Sequence, residues 1–152
     1  VSGKKICILG FSFKANTNDT RESAAISICR DLIEEGAHLQ IHDPKVNESQ
    51  IEKDLGIKSL KNLTRLNKKK INDSKGSWLK VDNISKACEG VDAIVVLTEW
   101  AEYSKINWQS IAKEVRFPTW VFDSRSIVNS IEVIGAGLNL WEIGYGFNNE
   151  NS

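Results

Sequence analysis

The sequence has no methionine, two histidines and three cysteines in 152 residues, and no excess of either charge, since 20 Lys and Arg balance 20 Asp and Glu. Zero net charge removes the global basic field that gathers nucleic acid or an anionic membrane, so neither partner is expected. The longest apolar stretches, such as Ala93 to Leu97, fall far short of the roughly 20 residues that cross a bilayer. The start of the chain lacks the apolar core of a secretory signal peptide before a small-residue cleavage site. Cys7, Cys29 and Cys88 are widely spaced, form no C-x-x-C, and have only His38 and His42 as companions. That pattern makes neither a disulfide framework nor a zinc site, and no metal is expected. All three lie in apolar contexts, where cysteine serves as a small buried hydrophobe. The expectation is a soluble, cytoplasmic chain. Its opening, Val1-Ser2-Gly3, without methionine, reads as a piece of a longer protein.

Two phosphate-binding signatures are missing as well. No G-x-G-x-x-G and no G-x-x-x-x-G-K-[ST] occurs, so the chain does not carry the standard loops for a dinucleotide or for ATP.

What is present is the alternation of an α/β domain. With 41% hydrophobic and 26% charged residues, residues 1–152 suffice for one domain with a real core and are too few for two. Lys4 to Gly10 is a short apolar run ending in glycine, as in a strand covered on both faces. Asp19-Thr20-Arg21-Glu22 offers a helix start, with Asp19 or Thr20 as cap. Ala25, Ile28, Cys29, Leu32 and Ile33 follow at helical spacing, and Gly36 stops the helix. His38 to Pro44 reads as a second strand, completing a βαβ unit. Residues 45–80 are polar and include Lys68-Lys69-Lys70; they read as a surface insertion. A short capped helix follows over Asn83 to Gly90, then a buried strand, Ala93 to Leu97. Trp108 to Val115 is another helix, Thr119 to Asp123 a fourth strand and Leu138 to Ile143 an edge strand, with residues 145–152 as a flexible tail. The sum is an open, mostly parallel, doubly wound sheet, Rossmann-like, with helices on both faces in a three-layer α/β/α arrangement.

In such sheets ligands gather at the carboxyl ends of the strands. The residues aligned there are Ser12, Lys14 and Asn16 after the first strand, Asp43 after the second, Thr98 and Glu99 after the third, and Asp123 and Arg125 after the fourth. Lys14 beside Gly10-Phe11-Ser12-Phe13, and Arg21 at the following helix start, suit an anion, a phosphate ester best. Each residue has a plainer reading. Lys14 and Arg21 fit exposed loop charges, Asp43 a cap on the Pro44 turn, and Glu99 with Arg125 a structural ion pair.

The residues Ile8-Leu9-Gly10-Phe11-Ser12-Phe13-Lys14, then Asn16 to Ser23, Asp43-Pro44, Leu97-Thr98-Glu99-Trp100 and Phe122-Asp123-Ser124-Arg125, in that order, resemble the C-terminal UDP-binding domain of the UDP-glucose 6-dehydrogenase family. The resemblance runs from Lys4 to about Ile143. It implies a division of labour: an N-terminal domain binds NAD, a central helix makes the dimer, and the domain resembled here closes over UDP-glucose while its C6 alcohol is oxidised to a carboxylate. Carried over by motif, Phe13, Lys14 and Arg125 contact the nucleotide sugar, and Arg21 reaches across the cleft towards NAD. The family's catalytic cysteine, lysine and asparagine match nothing here, so the chain alone is expected to be inactive. The family often has glycine where Ser124 stands. The alternatives are the same domain of a dehydrogenase for UDP-N-acetylmannosamine or GDP-mannose, a stand-alone nucleotide-sugar-binding module, or a purely structural domain.

Overall fold

The computed structural model describes residues 1–63 and 75–144 in full and 146–148 in backbone. Lys68-Lys69-Lys70 lies outside the described residues. Among the described residues seven strands form one sheet: β1 (Lys5–Leu9), β2 (His38–His42), β3 (Ser77–Lys80), β4 (Ala93–Val96), β5 (Trp120–Asp123), β6 (Asn139–Glu142) and β7 (Gly146–Asn148). Their order is β3-β2-β1-β4-β5-β6-β7. Every pairing is parallel except β6 with β7, which is antiparallel. The chain therefore winds outwards from β1 to β3 and crosses back to lay β4 against the other side of β1. That reversal opens a crevice at the carboxyl ends of β1 and β4.

The period-two alternation of the strands sorts the core into two layers. On one face Ile6 and Ile8 of β1, Leu39 and Ile41 of β2 and Trp78 of β3 pack against α1 (Ala24–Glu34) and α2 (Glu48–Leu55). On the other, Cys7 and Leu9, Ile94 and Val96, Val121 and Leu140 meet α3 (Ile84–Ala87), the short 3₁₀ turn Ala101–Lys105, α4 (Trp108–Ala112) and α5 (Ser130–Gly135). The three-layer, mostly parallel architecture is the one expected.

Four boundaries differ from expectation. Helix α1 starts at Ala24, capped by Ser23 rather than by Asp19 or Thr20. Glu22 sits at φ +62°, outside right-handed helix, and the Thr20 hydroxyl is spent on Asp54 at 2.6 Å. The stretch 45–80 contains α2, which buries Ile51 and Leu55, and β3, which buries Trp78. Arg30 of α1 ties α2 down, donating to the carbonyls of Asp54 (2.7 Å) and Leu55 (3.3 Å) where the helix dipole favours a cation. Strand β6 is not an edge: within the supposed tail, residues 146–148 return as β7 and pair with it. All three cysteines are buried and free. The thiols of Cys88 and Cys7 lie 3.7 Å apart, and burial pushes the Cys7 and Cys29 thiols well up, which keeps them protonated and unreactive.

Candidate functional site

The crevice floor is built from backbone held in place by buried side chains. Gly10, the residue after β1, has φ +97°, and a Cβ there would drive into the Thr98 side chain. Glycine is required on both counts. Thr98, itself buried, donates its hydroxyl to the carbonyl of Ser12 at 2.8 Å. The Ser12 hydroxyl in turn donates to Lys14 O at 3.0 Å. The loop after β1 is thus laced onto the loop after β4, and Phe13 and Lys14 stand out from it, both exposed.

Asp43 lies below this loop, fully buried. One carboxylate oxygen accepts the amides of Phe11 (2.8 Å) and Ser12 (3.0 Å) and the Trp100 indole N–H (3.3 Å). The other accepts Lys45 N (2.8 Å) and Val46 N (3.0 Å). An acid at the end of β2 holds the cofactor ribose in dinucleotide-binding domains, but here both oxygens are consumed internally. Together with the missing glycine fingerprint, this leaves no NAD site of the standard kind among the described residues. Asp123, also buried, is likewise structural: it accepts Arg125 N (3.0 Å) and Val128 N (2.9 Å) and shapes the turn after β5.

That turn delivers Arg125 to the crevice. Its Nε donates to Leu97 O at 3.0 Å, its Nη2 to Phe13 O at 3.3 Å, and Nε lies 3.5 Å from Glu99 Oε2. Glu99 Oε1 accepts the amide of Ala15 at 3.1 Å. Three strand ends, those of β1, β4 and β5, therefore converge, with Glu99 and Arg125 bonded to the backbone of Phe13 and Ala15 on either side of Lys14. Ser124, where glycine is common in the family, has no left-handed backbone. Both its N–H (3.2 Å) and its hydroxyl (2.6 Å) donate to Val96 O, so serine fits without strain.

Arg21 stands apart from this cluster. Its guanidinium grips Asp19 through Nε (3.1 Å) and Nη2 (2.9 Å) and is largely solvent-exposed. The Arg21 guanidinium, with a smaller contribution from Lys14, holds the Asp19 carboxyl down at about 2. Phe13, Asp19, Arg21 and Glu22 line a depression of about 290 Å³, so Arg21 shares a rim with Phe13 rather than with Arg125. Asn16 (φ 65°), Glu22 (φ 62°) and Ser126 (φ 54°) are the left-handed non-glycine residues among those described. All three sit in the loops that carry Lys14, Arg21 and Arg125, and such strain concentrates at binding sites. A larger depression of about 370 Å³ opens at the amino ends of the strands, between Ile6, Ala93 and Phe117. Its Arg116 faces Asp92 at 3.6 Å, and it lies away from the strand reversal.

Of the residues singled out in the sequence, Arg125 is bonded to the Phe13 carbonyl, Lys14 follows Phe13 in the same loop with its charge acting on Asp19, and Arg21 shares a rim with Phe13. Asp43, Ser12, Thr98 and Asp123 support the loops. Sequence reasoning missed Ser23, whose hydroxyl accepts Ala25 N (3.2 Å) and donates to Phe11 O (2.8 Å), locking α1 to the site loop. A serine directly before Ala24-Ala25 was the available signal.

The family described as "UDP-glucose/GDP-mannose dehydrogenase family, UDP binding domain" matches residues 7–130. The chain is 39% identical over 142 residues to UDP-glucose 6-dehydrogenase of Rattus norvegicus, covering 89% of this chain and 27% of that protein. It is 34% identical over 149 residues to UDP-glucose 6-dehydrogenase 4 of Arabidopsis thaliana, covering 95% and 30%. The chain thus spans less than a third of these relatives. Among solved structures, UDP-D-ManNAc dehydrogenase from Pyrococcus horikoshii superposes with a TM-score of 0.62 at 26% identity, covering 94% of this chain and 26% of that one. NDP-N-acetyl-D-galactosaminuronic acid dehydrogenase from Methanosarcina mazei Go1 gives 0.64 at 23% identity over 95% and 25%, a likeness of fold.

Proposed function

Since this chain belongs to the UDP-glucose/GDP-mannose dehydrogenase family as its UDP binding domain, we propose that it clamps the substrate of a UDP-glucose 6-dehydrogenase whose whole chain oxidises UDP-glucose to UDP-glucuronate. The relatives at 34% and 39% identity bear that name. The observation that carries the reading is that Arg125, delivered by the turn after β5, bonds to Leu97 O and Phe13 O and so reaches the loop that carries Phe13 and Lys14 beside the β1/β4 reversal. Lys14 and the free edge of the Arg125 guanidinium meet the diphosphate oxygens, for which planar and point cations are suited. Phe13, 41% exposed, offers an apolar face to base or sugar.

NAD supplies the hydride acceptor, twice per sugar, and is held by an N-terminal domain of the same parent. Arg21, exposed and paired with Asp19 at the rim, would reach across the cleft towards it. Closure sequesters the reaction from water and fixes the sugar, so this chain contributes orientation rather than bond chemistry. Cys7, Cys29 and Cys88, all buried, include no nucleophile, and the chain alone is inactive. The parent is a cytoplasmic homo-oligomer. A second reading, the same clamp for UDP-N-acetylmannosamine, is favoured by the likeness to the Pyrococcus horikoshii enzyme.

A melting titration with UDP, UDP-glucose, UDP-N-acetylmannosamine, GDP and NAD tests this. Ligand at about 100 times its dissociation constant adds roughly 2.7 kcal/mol of stability. The expected result is a rise with uridine ligands that is lost in Lys14→Ala and Arg125→Ala. An equal rise with GDP, or a rise that survives both substitutions, would overturn the reading.

A further inference from the structure

Glu99 has no place in the clamp as described, and its charge is wrong for it: a carboxylate beside an anion site repels the ligand. Its geometry explains why it is there. Oε1 is engaged by the Ala15 amide at 3.1 Å, while Oε2 is shielded from solvent and receives no hydrogen bond. A buried acceptor without a donor is costly, and what faces this one is the Arg125 guanidinium, 3.5 Å away. That guanidinium also holds Leu97 O and Phe13 O. Residues 13 and 15 are thereby gripped from two sides, at the Phe13 carbonyl by Arg125 and at the Ala15 amide by Glu99, with Lys14 between them.

We propose that Glu99 is a positioning residue: its carboxylate locks Arg125 and the Phe13–Ala15 loop into one unit, so that the Lys14 and Arg125 cations meet the ligand's diphosphate already in register. Of the five N–H donors of an arginine, Nε and one on Nη2 are used by Leu97 O and Phe13 O. The remainder make no hydrogen bond among the described residues and are left for ligand oxygens. Ordering the two cations before binding removes an entropic cost that each free side chain otherwise carries. The proposal rests on the reading of this cluster as a diphosphate clamp.

The test uses Glu99→Gln, Glu99→Ala, Arg125→Ala and the double variant Glu99→Ala/Arg125→Ala, with two readouts. Amide exchange at Ala15 and the NMR signal of Arg125 Nε–H report the lock without ligand; calorimetry with UDP reports its effect. In Glu99→Ala, Ala15 exchange rises at least tenfold, the Arg125 signal broadens, and UDP affinity falls about tenfold. In Glu99→Gln, whose amide oxygen still accepts from Ala15, the Ala15 protection survives while the affinity still falls, because the Arg125 partner is gone. In the Arg125→Ala background, Glu99→Ala costs less affinity than in the wild type, because only the hold on the Ala15 amide is left to lose.

UDP binding in Glu99→Gln as tight as wild type or tighter, or additive losses in the double variant, would sink the proposal. So would unchanged Ala15 and Arg125 signals in Glu99→Ala. If the wild-type chain does not bind UDP, the clamp reading fails, and the ligand-free signals alone decide whether Glu99 locks the loop.

Discussion

At Asp43 a single carboxylate organises two loops that are 32 residues apart, those of Phe11 and Asp43. Four backbone amides and one indole N–H point at its two oxygens, so the side chain acts as a template for the crevice floor. Asparagine at this position keeps one acceptor oxygen and turns the other into a donor facing backbone N–H groups. Asp43→Asn therefore strands at least two backbone amides, either the buried pair of Phe11 and Ser12 or buried Val46 with part-buried Lys45, each buried one worth about 1–3 kcal/mol. The expected loss is about 3 kcal/mol in urea unfolding, with ligand binding weakened in the same variant because Phe11 and Ser12 carry the loop of Phe13. A loss below about 1 kcal/mol would show that the template is dispensable. The same residue marks a limit of sequence reading. An acid ending β2 looks alike whether it points at a ligand or at its own backbone; the neighbouring Pro44-Lys45-Val46 turn was the hint.

Among the elements, β1, β2, β4 and β5 were legible because each is a continuous or alternating apolar run cut off by glycine, proline or a polar residue. Helix α2 and strand β3 were not. Two buried positions, Ile51 and Leu55, are all that α2 offers, too few for a helical period to emerge from the surrounding Lys, Glu and Asp. In β3 only Trp78 and Leu79 are apolar, and the signal that seats the strand is tertiary. The Trp78 indole donates to Ile57 O at 2.8 Å, and Gly76 leaves room for the Ala37 and Ile33 backbone that a Cβ would strike. Packing, not propensity, makes these elements. Trp78→Ala should accordingly cost about 3–5 kcal/mol, as large aromatic truncations in cores do, despite lying in a stretch that reads as surface. A change within about 0.5 kcal/mol on chemical denaturation would mean that β3 adds nothing to the core. The start of α1 was misplaced by a few residues for a related reason. The Asp19-Thr20-Arg21-Glu22 segment has the composition of a helix start, yet its side chains are spent on each other and on Asp54.

For the molecule as a whole, one buried histidine adds to the sensitivity to acid. His42, 3% exposed, sits edge-on to Tyr103 with ring centroids 5.6 Å apart, its Nδ1 2.8 Å from the phenol oxygen. Burial lowers its pKa below the ordinary 6.5, the Lys80 cation lowers it further, and Asp43 and Asp82 pull weakly the other way. The unfolded chain therefore takes up a proton near pH 6.5 that the folded chain refuses until lower pH. Stability from this site is complete above that value and is lost as the pH falls through the folded pKa. The melting temperature should decline as pH is lowered from 7.5 to 5.5, with a shallower decline in His42→Gln. Equal slopes in the two proteins would place the acid sensitivity elsewhere.

The threading of the site across the chain bears on how the protein folds. Ala15 is tied to a residue 84 positions away and Phe13 to one 112 positions away, whereas β1, α1 and β2 close within the first 42 residues. Contacts of such long sequence separation form slowly, because loop closure must come before they stabilise anything. In refolding, helical signal should thus recover ahead of ligand affinity. A newly made chain would acquire its β1-α1-β2 unit first and its clamp last, once β4 has docked beside β1 and β5 beside β4.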